Sequence, residues 1–148
     1  MEIKSILFPT DFSEGSAQAL QYAVEFAKKY SAKLYIIHVI YDMAKGSGLY
    51  VPHVSMDQLY KDIQEGAKKE LDNFGVEALE SMKNVERIVM TGVPHHEIVE
   101  FANKNKIDVI VIGTHGRTGI DRLLFGSTAS QVVRNSPCPV LTVRVPKY

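Results

Sequence analysis

Residues 109–126 read Val109-Ile-Val-Ile-Gly-Thr-His-Gly-Arg-Thr-Gly-Ile-Asp-Arg-Leu-Leu-Phe-Gly126, an apolar run followed by a glycine-rich loop. Residues 109–112 show no polar alternation, which is typical of a strand covered on both faces of a parallel sheet. Gly113 follows at the carboxyl end of this strand, the end at which open α/β sheets bind ligands. The stretch therefore predicts a central parallel strand that leads into a ligand-binding loop.

The rest of the chain alternates between short β-rich runs and amphipathic helical stretches. Strands are predicted at residues 6–8, 34–41, 85–90, 109–112 and 140–145. Helices are predicted from 13 to about 30, as one long helix over 56–82, from 94 to about 105, and from about 127. Five strands alternating with four helices predict a three-layer, doubly wound α/β fold, a five-stranded parallel sheet with helices on both faces.

The composition predicts one domain spanning residues 1–148. Lys plus Arg and Asp plus Glu number 17 each, so the net charge is zero, which argues against a general nucleic-acid-binding protein. No signal-peptide pattern and no apolar run of about 20 residues is present, so no membrane association is expected. A single cysteine, Cys138, permits no intramolecular disulfide and agrees with a cytoplasmic location.

The glycine-rich loop has the features of a phosphate-binding segment. Gly116 allows backbone N–H groups to approach an anion closely, and Arg117 adds positive charge. Gly126, Ser127 and Thr128 begin a helix whose free N–H groups and dipole favour a phosphate. The spacing matches neither the dinucleotide-binding fingerprint nor a P-loop. A glycine-rich connection that merely leads into a helix is the structural alternative.

Four motifs resemble those of the universal stress protein family, and together they span essentially the whole chain. They are Pro9-Thr-Asp-Phe-Ser13, His38-Val39, Gly113-x-x-Gly116 followed after nine residues by Gly126-Ser127, and Ser136-Pro-Cys-Pro-Val-Leu141. The spaced glycines resemble the nucleotide-binding motif of the ATP-binding members. The resemblance implies the sheet order 3-2-1-4-5, in which strands one and four are neighbours and the crevice between them is the ligand site.

The resemblance also implies which residues bind the nucleotide. The expected nucleotide-binding residues are Pro9, Thr10, Asp11, Val39, Gly113, His115, Gly116, Arg117, Gly126, Ser127 and Thr128. The backbone of Val39 is expected to meet adenine. Asp11 is expected to contact ribose, adenine or a phosphate-bound Mg²⁺, or to cap the following helix. The expected ligand is ATP, ADP or AMP, with Mg²⁺ held through the phosphates and no separate metal site.

The histidines carry a weaker signal than the glycines. His115 lies within the loop and is expected to be partly exposed there, at a position from which it can touch a phosphate; a catalytic role as a general acid is not expected. His38 is expected to be structural. No catalytic residue is predicted, because the sequence contains no persuasive general base or water-positioning residue.

The last strand is expected at a sheet edge, and edge strands can pair with another chain. The family commonly forms dimers through this strand, so a homodimer is expected through Leu141, Val143 and Val145, with antiparallel pairing around Val143 and Val145. An edge blocked by Arg144 and Pro146 is the alternative.

The resulting functional hypothesis is an ATP-binding stress-response or regulatory protein, in which bound nucleotide changes conformation or the choice of an unidentified protein partner. Two alternatives stay open. The first is a slow ATP hydrolase or nucleotidyl-transfer enzyme, and the second is a protein-binding dimer that does not use nucleotide.

Overall fold

A computed structural model describes residues 1–42, 57–114 and 126–144. The strands are β1 Ser5–Pro9, β2 Lys33–Tyr41, β3 Val85–Gly92, β4 Val109–Gly113 and β5 Val140–Val143. The helices are α1 Glu14–Tyr30, α2 Asp57–Asn73, α3 Val76–Leu79, α4 Pro94–Lys104 and α5 Ser127–Asn135. Within this part of the chain, no helix is long and apolar enough to cross a membrane.

The five strands form one parallel sheet in the order β3-β2-β1-β4-β5, which confirms the predicted fold class and strand order. β1 lies in the middle, where Ile6 pairs with Leu34 of β2 and with Val109 of β4. From β1, the chain first adds β2 and β3 on one side of the sheet and then adds β4 and β5 on the other side. The loops after β1 and β4 therefore diverge and leave a crevice between them.

Helices cover both faces of the sheet because successive residues of each buried strand point to opposite sides. On β1, Ile6 and Phe8 pack with Leu20 and Val24 of α1 and with Leu71 of α2. Leu7 points to the other face. There, a second cluster combines the residues Leu7, Ile37, Ile110 and Ile112 of the sheet with Ile98 and Ala102 of α4 and Ala129 and Val132 of α5.

The prediction of one long helix over 56–82 is wrong, because the helix is interrupted after Asn73. Gly75 has a left-handed backbone with φ of 64°, and a Cβ at this position would overlap the side chain of Leu20 in α1. A left-handed residue interrupts an α-helix, and glycine adopts this conformation without steric cost. The chain therefore turns at Gly75 and continues as the short helix α3.

Candidate functional site

A cleft of about 280 Å³ opens at the carboxyl edge of the sheet, where β1 and β4 diverge. It is lined by Pro9, Thr10, Asp11, Ser16, Ile37, His38, Val39, Pro94, Ile98, Ile112, Gly113, Thr114, Gly126, Ser127, Thr128 and Ala129. Eight of the predicted site residues lie in this lining: Pro9, Thr10, Asp11, Val39, Gly113, Gly126, Ser127 and Thr128. His115, Gly116 and Arg117 lie outside the described residues.

The loop between β1 and α1 is fixed by Thr10, which is 7% exposed. Its N–H donates to the Ile37 carbonyl oxygen at 2.8 Å and so continues the pairing of β1 with β2. Its hydroxyl oxygen accepts from the Phe12 N–H at 3.0 Å and from the Ser16 hydroxyl at 2.7 Å. Because these bonds join β1, β2 and α1, the loop is held in one conformation at the cleft.

Asp11 contributes a half-buried carboxylate to the cleft wall. Its Oδ1 accepts from the Ser13 N–H at 3.0 Å. The cap of α1 is Ser13, whose hydroxyl accepts from the Ser16 N–H at 3.1 Å, as the sequence predicts. Asp11 thus braces the residue that caps the helix and does not occupy the cap position itself.

The start of α5 lies at the cleft, which Gly126, Ser127 and Thr128 line. Gly126 is the N-cap, and as a glycine it provides no side-chain acceptor for the first turn. The first helical hydrogen bond runs from the Ser130 N–H to the Gly126 carbonyl oxygen at 3.0 Å. The N–H groups of Ser127 and Thr128 precede that bond, so this helix end has the character of an anion site.

Gly126 is also closely packed against the end of β4. Its N–H donates to the Thr114 carbonyl oxygen at 2.6 Å, which ties the start of α5 to the end of β4. A Cβ at this position would lie 3.2 Å from the same oxygen. Gly113 differs, because a Cβ there would make ordinary contacts, 3.6 Å from the Ala19 Cβ, on the side of α1.

The opposite wall of the cleft is apolar. Ile37 and Val39 of β2, Ile112 of β4 and Pro94 and Ile98 of α4 form it. Ile37, Ile98 and Ile112 are buried in the core beneath the cleft, at 0%, 2% and 5% exposure. The cleft therefore combines a rigid apolar wall with a polar end at the start of α5, a combination typical of small-molecule sites.

Several lining residues were not predicted as site residues. His38 is expected from the sequence to be structural, and its Nδ1 does lie 2.8 Å from the Thr10 carbonyl oxygen, but the residue is also among those that line the cleft. Pro94 and Ile98 follow β3, whose carboxyl end lies at the same sheet edge as those of β1 and β4. The parallel strand order alone could have placed Pro94 and Ile98 near the site.

Cys138 lies apart from the cleft, just before the amino end of β5. Burial raises the pKa of its thiol above the ordinary value, with a hydrogen bond from Ser136 opposing the rise. A raised pKa disfavours the reactive thiolate.

The chain is similar to known proteins over nearly its full length. The model of the universal stress protein family matches residues 2–144. Universal stress protein MJ0531 of Methanocaldococcus jannaschii is 40% identical over 152 aligned positions, covering 97% of this chain and 84% of the relative.

The fold of the chain is also similar to that of solved structures. The structure of hypothetical protein MJ0577, solved for structure-based assignment of its biochemical function, has a TM-score of 0.87 and 31% identity over 100% of both chains. A universal stress protein in complex with cAMP has a TM-score of 0.64 and 26% identity, covering 97% of this chain and 98% of that one. The family match over nearly the full length, together with the strand order and the cleft, shows that the chain belongs to the universal stress protein family.

Proposed function

We propose that this protein binds an adenine nucleotide, with ATP as the principal ligand, in the cleft between β1 and β4. The observation that carries the proposal is the start of α5, where Gly126 leaves the first N–H groups without a side-chain cap and where Gly126, Ser127 and Thr128 line the cleft. The cAMP complex of a relative supports the same class of ligand, since cAMP is an adenine nucleotide.

The apolar wall is the proposed position of adenine. Val39 and Pro94, with Ile98 beneath them, offer an apolar surface, and an adenine ring gains stability by leaving water against it. Val39 lies on β2 at the edge of the cleft, and its backbone is proposed to hydrogen-bond the edge of the base. Asp11, on the neighbouring loop, is proposed to contact ribose or a phosphate-bound Mg²⁺.

The polar end is the proposed position of the phosphates. Ser127 and Thr128 offer backbone N–H groups and hydroxyls there, and His115, Gly116 and Arg117 are proposed to complete the site from the loop. Hydrogen bonds to a charged group contribute about 1.5–3 kcal/mol each. Micromolar affinity corresponds to about 8 kcal/mol, so a few such bonds and a buried base reach it even after entropy costs.

The proposed role is regulation by binding rather than by turnover, in a cytoplasmic homodimer. Among the described residues of the cleft, Asp11 is the only carboxylate, and its Oδ1 already accepts from Ser13. A nucleotide that bridges the loops of β1 and β4 joins two separate parts of the sheet edge. Occupancy is therefore proposed to alter the surface that a protein partner meets.

The test is calorimetric titration of MgATP into the wild-type protein and two Gly-to-Asp variants. In Gly126→Asp the new carboxylate caps α5 and repels phosphate, so the affinity is expected to fall at least about 10-fold, the loss of one charge-assisted hydrogen bond. In Gly66→Asp the same charge is added on the exposed face of α2, where nothing lies within 4 Å of a new Cβ. That variant is expected to bind like the wild type.

Equal affinity for MgATP in all three proteins would contradict the cleft assignment, provided that thermal unfolding shows each variant to be folded. Steady release of ADP that disappears in Gly126→Asp would support the hydrolase alternative instead. A wild-type protein without measurable nucleotide binding would favour a protein-binding dimer.

A further inference from the structure

We propose that His38 is a positioning residue for the nucleotide site, acting on the ligand through the loop that carries Asp11. The inference rests on the proposed function, because it assigns to His38 a part in the same site. The loop consists of residues 10–13, between β1 and α1, and His38 lies on β2 beside it.

The first contact is a hydrogen bond across the sheet edge. His38 Nδ1 lies 2.8 Å from the Thr10 carbonyl oxygen. A carbonyl oxygen only accepts, so Nδ1 carries the hydrogen and donates it. The bond holds the last residue before Asp11 from the side of β2, in addition to the bond from the Thr10 N–H to Ile37.

The second contact is a ring stack. The rings of His38 and Phe12 lie 4.3 Å apart with an interplanar angle of 29°. Phe12 has a left-handed backbone with φ of 66°, a conformation that a bulky residue adopts only where its surroundings enforce it. The Phe12 ring also meets Phe74 edge-on at 5.9 Å, so it is held between the His38 ring and the turn after α2.

These contacts surround Asp11 on both sides. Thr10 precedes it and accepts at its carbonyl from His38, whereas Phe12 follows it and stacks on the same ring. The Phe12 N–H donates to the Thr10 hydroxyl oxygen, which closes the turn around Asp11. A change at His38 therefore removes one contact from each neighbour of Asp11, and the carboxylate is held less firmly in its position at the cleft.

Three substitutions separate the two contacts. His38→Phe keeps an aromatic ring and removes the donor. His38→Asn keeps a donor near the position of Nδ1 and removes the ring. His38→Leu removes both. MgATP affinity is measured for each by calorimetry, alongside its thermal stability without nucleotide.

The decisive readout is a double-mutant cycle with Asp11→Asn, which removes the charge and keeps an oxygen that can accept from Ser13. We expect His38→Leu to weaken MgATP binding about 10-fold in the wild-type background and less than about twofold when Asp11 is already Asn, since coupled residues are not additive. His38→Phe and His38→Asn are expected to show smaller losses than His38→Leu.

A cost of His38→Leu that is the same in both backgrounds would overturn the proposal, because it would mean that His38 contacts the nucleotide directly. Lower stability with unchanged MgATP affinity would overturn it as well, since that result defines a purely structural role.

Amide hydrogen exchange without nucleotide distinguishes failure of this inference from failure of the proposed function. In the folded wild-type protein, the Phe12 and Ser13 amides are expected to be protected, and in His38→Leu their exchange is expected to accelerate at least about 10-fold relative to core amides. Unchanged exchange at both amides overturns the inference even if MgATP binds. A wild-type protein that binds no nucleotide contradicts the proposed function, and with it the role of the loop in binding.

Discussion

Single side-chain oxygens fix the edges of this sheet by accepting two or more hydrogen bonds each. Thr10 does so at the carboxyl edge, beside the cleft. Asp108 does so at the opposite edge, where its Oδ2 accepts from the Lys4 N–H at 2.8 Å, the Ser5 N–H at 3.0 Å and the Ser5 hydroxyl at 3.2 Å. Asp108 thereby ties the start of β1 to the segment that leads into β4.

The hydrogen bonds at Asp108 predict a specific pH dependence of stability. The bond from the Lys4 N–H, followed by those from Ser5, holds the pKa of the Asp108 carboxyl below its ordinary value of 3.8. A carboxyl whose pKa is lowered by folding stabilises the protein above its unfolded-state pKa, and that contribution is lost as the pH falls through the folded-state pKa. The stabilisation is therefore complete at neutral pH and declines below about pH 4.

Asp108→Asn is expected to lower the free energy of unfolding by about 1 kcal/mol at pH 7, because the amide retains one acceptor but loses the charge. Urea unfolding at pH 7 and at pH 3.5 measures the difference between variant and wild type. The difference should shrink at the lower pH. A difference of the same size at both values would mean that the charge of Asp108 contributes nothing.

At the scale of elements, the break between α2 and α3 shows how tertiary contacts override a helical pattern. Apolar residues continue at helical spacing through Phe74, Ala78 and Met82, yet the helix ends at Asn73. The turn at Gly75 lets Phe74 stack on Phe8 at a centroid distance of 6.4 Å. Burial of the Phe74 ring is gained at the cost of one interrupted helix.

Two glycines in this region are predicted to respond oppositely to alanine. Gly75→Ala should destabilise by at least about 1–2 kcal/mol, since the left-handed backbone disfavours a Cβ and the new atom meets Leu20. Gly66→Ala, in the exposed middle of α2, should stabilise by about 0.5–1 kcal/mol, because alanine is the better helix former. Chemical denaturation of the two variants measures both effects. A neutral Gly75→Ala would show that the turn tolerates a side chain.

Element order and strand burial were predictable from the sequence because they follow from local periodicity. The uninterrupted apolar run of β4 and the cap at Ser13 are local patterns of this kind, and the structure contains both. The break at Gly75 was not predictable, because it depends on where Leu20 of another helix lies.

The candidate site also has one part that the sequence predicts and one part that it does not. Asp11 and Gly126 follow strands that meet at one sheet edge, so the strand order brings them to one cleft. The contact of His38 with Phe12 depends on a left-handed residue whose conformation the sequence does not indicate.

At the scale of the whole molecule, β5 lies at one edge of the described sheet and is the proposed dimer interface. Val143, one of the three expected interface residues, is 5% exposed and packs into the core, and Leu141 packs against the same cluster. The side chains of Val143 and Leu141 therefore pack within the monomer. Val145, the third, lies outside the described residues.

The backbone of β5 indicates which residue can pair with a second copy. The Ile110 N–H donates to the Pro139 carbonyl and the Thr114 N–H to the Val143 carbonyl, both at 3.0 Å, so these carbonyls face β4. Backbone groups alternate in direction along a strand, so those of Thr142 face away from the sheet. In antiparallel pairing of two copies around Val143, the backbone hydrogen bonds would therefore be made by Thr142.

Thr142→Pro is predicted to shift the protein from dimer to monomer while the fold is retained, because proline removes only an outward-facing N–H. Thr142→Val keeps that N–H and a β-branched side chain, so it should remain dimeric. Light scattering coupled to size exclusion at micromolar concentration measures the mass of each. A dimeric Thr142→Pro, or a monomeric wild type, would contradict pairing through β5. The dimer stays a prediction, and so does the organisation of residues 1–148 as one domain.

The nucleotide assignment is tested most directly by following backbone amide resonances of the wild-type protein during titration with MgATP. We expect saturating shifts concentrated at Val39 and at Gly126, Ser127 and Thr128, the residues proposed to meet the base and the phosphates. Amides at the opposite sheet edge, such as Ser5, should move little. Shifts that are absent at millimolar MgATP, or that map away from the cleft between β1 and β4, would contradict nucleotide binding in this cleft.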